Sequence, residues 1–216
     1  LNGRIRVSSS NTPSSSPYHV LMDSTSGYAL NELILCVDLT MSSNVEIIFQ
    51  GKEFSDESNA LPISFTGSAN GDGVAVSDDG INWVSVSSLT NLTSTYSTRT
   101  VDLSQVIANN TNLSATSRFF IKFTQYDNNP ITTDGIALDD ISVGEADTTP
   151  PTGTVVIDSG ASTTSDLNVT LNLSATDNVG GSGVSAMRFS NNGTTWTNWQ
   201  VYGPSSPWNL SANGGN

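Results

Sequence analysis

Two adjacent carboxylates, Asp139 and Asp140, lie in the middle of the apolar segment GIALDDISV. Paired acids are a poor choice for packing alone, so this position is the first candidate for chemistry. The apolar residues Ile136 and Leu138 precede the pair and are two positions apart. Ile141 follows Leu138 by three positions and so breaks this alternation. Because side chains alternate between the two faces of a strand, this change of parity predicts a bulge or bend at the acids.

The segment FFIKF, shortly before these acids, has the alternation of a strand. Phe119, Ile121 and Phe123 are expected on one face, with Phe120 and Lys122 on the other. Most apolar residues of the chain occur in similar short runs, separated by loops rich in Ser, Thr, Asn and Gly. This composition predicts an all-β protein, with one helical turn at 103–108.

The FxIxF strand followed by GIALDDISV resembles the C-terminal signature of MAM domains, which are extracellular jelly-roll modules of adhesion receptors and secreted proteins. The resemblance continues upstream in YHVLMDSTSGYALNELIL and VEIIFQGKEF and covers roughly residues 3–145. The chain lacks the cysteines of animal MAM domains, so it is similar to a bacterial relative. The resemblance implies a jelly-roll β-sandwich over residues 1–145.

The resemblance also implies a metal site, because MAM relatives hold a structural ion with one acid of the last strand and one of an early strand. By position in the motif, the calcium ligands would be Asp139 or Asp140, with Asp23 as a partner and Asp134 as a further candidate. Fifteen of the twenty acidic residues are Asp, the shorter carboxylate common in calcium loops. In the structural alternative Asp139 caps the bulge and Asp140 pairs with a cation, the candidates being Arg4, Arg6 and Lys122.

A proline-rich linker is predicted at 146–153, where two consecutive prolines exclude a helix or a central strand. The following segment, 154–216, resembles the bacterial Ig-like repeats found between domains of large secreted proteins. It contains five predicted short strands, whereas a complete sandwich of this type has about seven. We expect an Ig-like unit without its last strands, open to strand addition and self-association.

The segments VAVSDDGINW and MRFSNNGTTW share one pattern: a strand, Ser, two Asx residues, Gly and, three residues later, Trp. Asx side chains form turns, and Gly80 and Gly193 accept positive φ. Both segments are therefore predicted to be hairpins, with Trp83 and Trp196 packing back across the ribbon.

Several classes of function conflict with the composition. The net charge of −13 repels nucleic acid, and no apolar run is long enough to cross a bilayer. With a single histidine, His19, and a single cysteine, Cys36, zinc and Cys/His chemistry are nearly excluded. Cys36 is expected to be a small buried hydrophobe.

An enzyme would need a different arrangement, namely an acidic cleft lined with aromatic residues around Glu53, Asp56 and Glu57. Exposed aromatic side chains that could stack on sugar rings are a simpler source of function. The candidates for glycan binding are Trp83, Tyr96, Tyr126 and Trp199.

The sequence thus predicts a non-catalytic module for adhesion or carbohydrate binding, stabilised by calcium. It lacks an initiator Met and a signal peptide, so we expect a segment of a larger secreted or cell-surface bacterial protein. The expected partner is a glycan or a cell-surface protein. The alternative is a structural, polymer-forming protein that uses strand addition at the open Ig-like unit.

Overall fold

A computed structural model describes residues 2–129, 134–160, 163–178 and 183–211. The chain forms two compact units, Leu1–Ala146 and Asp147–Asn216. The first strand of the second unit begins at Thr152, inside the segment predicted to be a linker.

The described residues of the first unit form ten strands and one short helix. The strands are β1 Gly3–Ser8, β2 His19–Ser24, β3 Ala29–Val37, β4 Val45–Glu53, β5 Ser64–Thr66, β6 Gly73–Ser77, β7 Asn82–Ser88, β8 Ser97–Asp102, β9 Phe119–Asp127 and β10 Ile136–Glu145, and the helix is α1 Leu103–Asn109. Asp102 caps the helix by accepting a hydrogen bond from the backbone N–H of Gln105. The single predicted helix is therefore confirmed.

Two five-stranded antiparallel sheets make up this unit, with the orders β1-β2-β10-β4-β8 and β3-β9-β6-β7-β5. Their inner faces supply one buried core, in which Phe49 of the first sheet meets Phe123 of the second edge to face, with ring centroids 5.2 Å apart. Phe119, Ile121 and Phe123 are all buried on this inner face, as their alternation predicts. The all-β class and the sandwich architecture are confirmed.

The change of parity at the paired acids is a β-bulge. Asp139 pairs with Gln50 and Ser142 with Ile48, so β10 carries one additional residue at this point. Asp140 has a φ of 48°, in the left-handed region. Leu138 and Ile141 therefore both pack on the core although three positions separate them.

Two expectations about individual side chains are wrong. Lys122 is not free to pair with Asp140, because it is buried and its Nζ donates to Glu32 Oε1 at 2.8 Å. Cys36 is exposed rather than buried, since it lies on the outer face of β3.

The described residues of the second unit include a three-stranded antiparallel sheet and a two-stranded ribbon. The sheet has the order β11-β12-β15 and the ribbon pairs β13 with β14. Their bounds are β11 Thr152–Ile157, β12 Asn168–Thr176, β13 Ala186–Met187, β14 Gln200–Val201 and β15 Ser205–Asn209.

The repeated Ser-Asx-Asx-Gly segment forms the same turn in both units. In the first unit Ser77 Oγ accepts from the Gly80 N–H at 2.8 Å, and in the second Ser190 Oγ accepts from the Gly193 N–H at 2.8 Å. Both glycines have positive φ, 75° and 71°. The turn is therefore determined by its local sequence, as predicted.

Candidate metal centre

Three acids from separate segments of the first unit meet at one end of the sandwich. Glu57 follows β4, Asp127 is the last residue of β9, and Asp134 lies two residues before β10. One carboxylate oxygen from each lies within 4.8 Å of the others. We call this group the acid triad.

Most of the triad's carboxylate oxygens lack hydrogen-bond partners although they are buried. Asp127 is 0% and Asp134 is 2% exposed. The buried atoms without a partner include Glu57 Oε2, Asp127 Oδ2 and both carboxylate oxygens of Asp134. Leaving a buried ionised group without a partner is costly, so this arrangement calls for a compensating charge.

No cation of the described part of the chain supplies that charge. Its three salt bridges join Arg4 and Arg6 to Asp23 and Lys122 to Glu32, and none includes a member of the triad.

The electrostatics of the triad reflect this lack of compensation. Burial, together with the charges of Asp127 and Glu57, raises the pKa of Asp134 to about 6. Burial also raises the pKa of Asp127.

Backbone geometry explains how Asp134 reaches this position. Gly135 has a φ of 134°, and a Cβ at this residue would overlap the carbonyl oxygen of Met22. Only glycine allows β10 to approach β2 this closely. The carbonyl of Gly135 also accepts from the Phe54 N–H at 2.8 Å, which ties the segment after β4 to the start of β10.

Asp72, an acid outside the triad, joins the segment that carries Glu57 to the end of β9. Its carboxylate accepts from the backbone N–H groups of Asn59 and Tyr126, both at 2.7 Å. The Asn59 side chain also donates to the Tyr126 carbonyl at 3.1 Å. These hydrogen bonds therefore hold the segments of Glu57 and Asp127 together.

The neighbouring pocket does not meet the requirement stated for a glycosidase. It has a volume of about 110 Å³ and is lined by Glu53, Asp56 and Glu57 together with Ser, Thr and Leu side chains, without an aromatic residue. Burial, together with the nearby charge of Asp72, raises the pKa of Asp56 to about 8. Phe54 is the one aromatic residue of the open depression beside Glu53.

Of the four predicted metal ligands, the structure places one, Asp134, in the triad. Asp23 is occupied by the two arginines of β1, with its carboxylate oxygens 2.7 Å from Arg4 Nε and 2.6 Å from Arg6 Nη2. These arginines are the cations that the structural alternative assigned to Asp140, so that pairing is wrong.

Asp139 and Asp140 do not join the triad. The carboxylate of Asp139 accepts from the Ser15 N–H at 3.0 Å and from the Asp140 N–H at 2.9 Å. Asp140 is exposed on the bulge. Among the described residues, neither acid forms a cluster of possible metal ligands with Asp23, and Asp139 serves as the cap of the bulge.

The predicted aromatic residues differ in their exposure. Trp83 is 2% exposed and stacks on Phe65, so it offers no surface to a sugar. Lys52 lies 4.4 Å from the ring centroid of the half-buried Tyr96, whose hydroxyl is 2.5 Å from His19 Nδ1. Tyr126 is half-buried in β9. Trp199, by contrast, is 64% exposed.

The triad residues Glu57 and Asp127 were missed because nothing local distinguishes them from ordinary acids near turns. A weak indication was available: Asp127 ends a strongly alternating strand, and the polar connection after it leads to Asp134. Glu57 carries no such indication, since its role depends on a segment distant in the sequence.

Comparison with known proteins adds little. No family model and no curated protein matches the chain. A solved structure titled as a family 30 carbohydrate-binding module is similar with a TM-score of 0.41 and 13% sequence identity, over 65% of this chain and 83% of that one. Likeness at this level is no guide to the ligand of the present chain. No helix among the residues in the described ranges has the length and apolar character needed to span a membrane.

Proposed function

We propose that this chain is a non-catalytic extracellular binding module, for adhesion or carbohydrate binding, whose first unit is stabilised by Ca²⁺. It would form part of a larger secreted or cell-surface bacterial protein. The observation that carries the metal proposal is the acid triad, with its buried carboxylate oxygens that have no partner.

The donor set favours calcium over other metals. All three side chains offer carboxylate oxygens, and hard cations such as Ca²⁺ prefer such ligands at about 2.3–2.6 Å. Zinc usually binds through His and Cys, and neither residue type belongs to the triad. A bound Ca²⁺ would offset two of the three negative charges and would connect the segment after β4 to both ends of the β9–β10 connection.

The binding role is supported by the exposed aromatic residues of the second unit, Trp196 and Trp199, which are 47% and 64% exposed. Amphipathic indole rings at a surface are typical of contact residues. The lone histidine supports a non-catalytic role, because its Nδ1 is engaged by Tyr96 and the residue is 3% exposed.

A melting scan and a glycan array test the two parts separately. We expect the melting temperature of the first unit to rise in Ca²⁺ and to fall when excess chelator is added. An unchanged melting temperature would remove the metal proposal. Retention on one class of glycan, lost after the protein is unfolded, would support the binding role, whereas an array without any retained glycan would contradict the carbohydrate reading.

A second candidate is a structural, polymer-forming protein. It is favoured by β11, which lies at the edge of its sheet and carries Val155 and Val156, 57% and 41% exposed. An open edge with apolar side chains can accept a strand from a neighbour. Assembly that increases with protein concentration would favour this candidate.

A further inference from the structure

The second unit has an open apolar depression of about 750 Å³, lined by residues of its sheet and of its ribbon. Its walls are formed mainly by aliphatic and aromatic side chains, including Leu171, Leu173, Met187, Phe189 and Trp208. This size and lining are typical of small-molecule sites, in which a few polar groups provide specificity.

One cation lies at this depression, in contact with both exposed tryptophans. The guanidinium carbon of Arg188 is 4.9 Å from the ring centroid of Trp196 and 4.5 Å from that of Trp199. Such contacts hold a guanidinium in place without using its N–H donors in hydrogen bonds.

Arg188 is the only Lys or Arg after residue 146. It forms none of the ion pairs in the described ranges and donates none of their hydrogen bonds. Three acids of the same unit, Asp158, Asp166 and Asp177, accept hydrogen bonds from backbone N–H groups. An exposed guanidinium with free donors is suited to bind a carboxylate through two parallel hydrogen bonds.

The surface around the two rings has the composition of a sugar site. Residues 191–200 are all exposed, and apart from the two tryptophans and one glycine they are Asn, Thr and Gln. Indole faces can stack on the apolar faces of sugar rings, while hydroxyl and amide groups can bond their hydroxyls.

We infer that the second unit binds an acidic saccharide, a glycan that carries uronic acids. Sugar rings stack on Trp196 and Trp199, and Arg188 binds a carboxylate of the sugar. The inference rests on the proposed carbohydrate-binding role and specifies its substrate class. A neutral glycan would offer the guanidinium only hydroxyl oxygens, whereas a uronic acid offers an ionised carboxylate that can accept two of its N–H groups in parallel.

Calorimetric titration of the whole chain tests this inference, with a hexamer of galacturonic acid as the acidic probe and cellohexaose as the neutral one. We expect at least tenfold tighter binding of the acidic hexamer, and weaker binding in high salt. Arg188→Gln should weaken binding of the acidic hexamer at least tenfold, and Trp199→Ala should weaken binding of the same probe. The matched control is Arg118→Gln, which removes an equal charge from an exposed arginine beside Phe120 in the first unit and should leave binding unchanged.

The outcomes separate this inference from the function on which it rests. Equal binding of both hexamers, or an Arg188→Gln variant that binds like the unaltered chain, would overturn the acidic specificity while leaving carbohydrate binding intact. If neither hexamer binds, the inference fails, and the glycan array then decides the wider role. Concentration-dependent dimerisation that protects Trp199 from solvent would assign the depression to strand addition and overturn the inference.

Discussion

Replacing Asp134 with Asn should abolish the response of the first unit to calcium without unfolding it. The carboxylate of Asp134 is 2% exposed, and neither of its oxygens has a partner. Asparagine has the same shape, removes one of three like charges and adds an amide that can donate to Asp127 or Glu57. In chelator we therefore expect Asp134→Asn to melt at or above the temperature of the unaltered protein.

The expected size of the calcium effect follows from mass action. Extracellular calcium modules bind with dissociation constants of about 10⁻⁴–10⁻³ M. At about 10 mM Ca²⁺ this corresponds to a stabilisation of about 1.4–2.7 kcal/mol. For a unit the size of Leu1–Ala146, we expect the melting temperature to rise by about 3–10 °C.

The assay is differential scanning fluorimetry in chelator and in 10 mM Ca²⁺, a concentration about tenfold or more above the expected dissociation constant. Glu145→Gln is the matched control, because it removes one carboxylate at the exposed end of β10 and should keep the full shift. A calcium shift of equal size in Asp134→Asn would refute the assignment of the ion to the triad. So would a large loss of stability of this variant in chelator.

Without metal, the stability of the first unit should depend on pH. The pKa values of Asp56, Asp72 and Asp134 are raised by burial, to about 8, 6 and 6. The folded state then binds protons that the unfolded state releases, so stability should fall as pH rises from about 4 to 8. In chelator we expect the melting temperature to be higher at the acidic end of this range, and the opposite trend would contradict the uncompensated burial of these acids.

Three further predictions concern packing, backbone and exposure. Phe123→Ala should lower the free energy of unfolding, measured by chemical denaturation, by about 3–5 kcal/mol, because Phe123 is 0% exposed. The control Tyr28→Ala should have little effect, because Tyr28 is 71% exposed. Gly135→Ala should lower the free energy of unfolding far more than Gly67→Ala in the same assay. Both glycines have positive φ, but only a Cβ at Gly135 would overlap backbone atoms. Similar losses of stability in the two variants would contradict this explanation. Cys36 should react with a thiol reagent in the folded protein, since it is exposed, and protection until unfolding would contradict its placement.

Local patterns in the sequence predicted the features that depend on neighbouring residues. The alternation in FFIKF placed Phe119 and Phe123 in the core, and the change of parity located the bulge at Asp140. The Ser-Asx-Asx-Gly turns were equally predictable. In each case the period of a strand or the chemistry of a turn acts over a few residues, so the sequence contains the information directly.

The acid triad depends on contacts between distant parts of the chain. Glu57 and Asp127 meet because the hydrogen bonds of Asp72 join their segments, and Asp134 reaches them because Gly135 permits a close approach of β10 to β2. No local pattern shows which of fifteen Asp residues become buried or lose their partners. Burial and strand register are properties of the packed sheets, and they assign Asp134 to the triad while leaving Asp139 as the cap of a bulge.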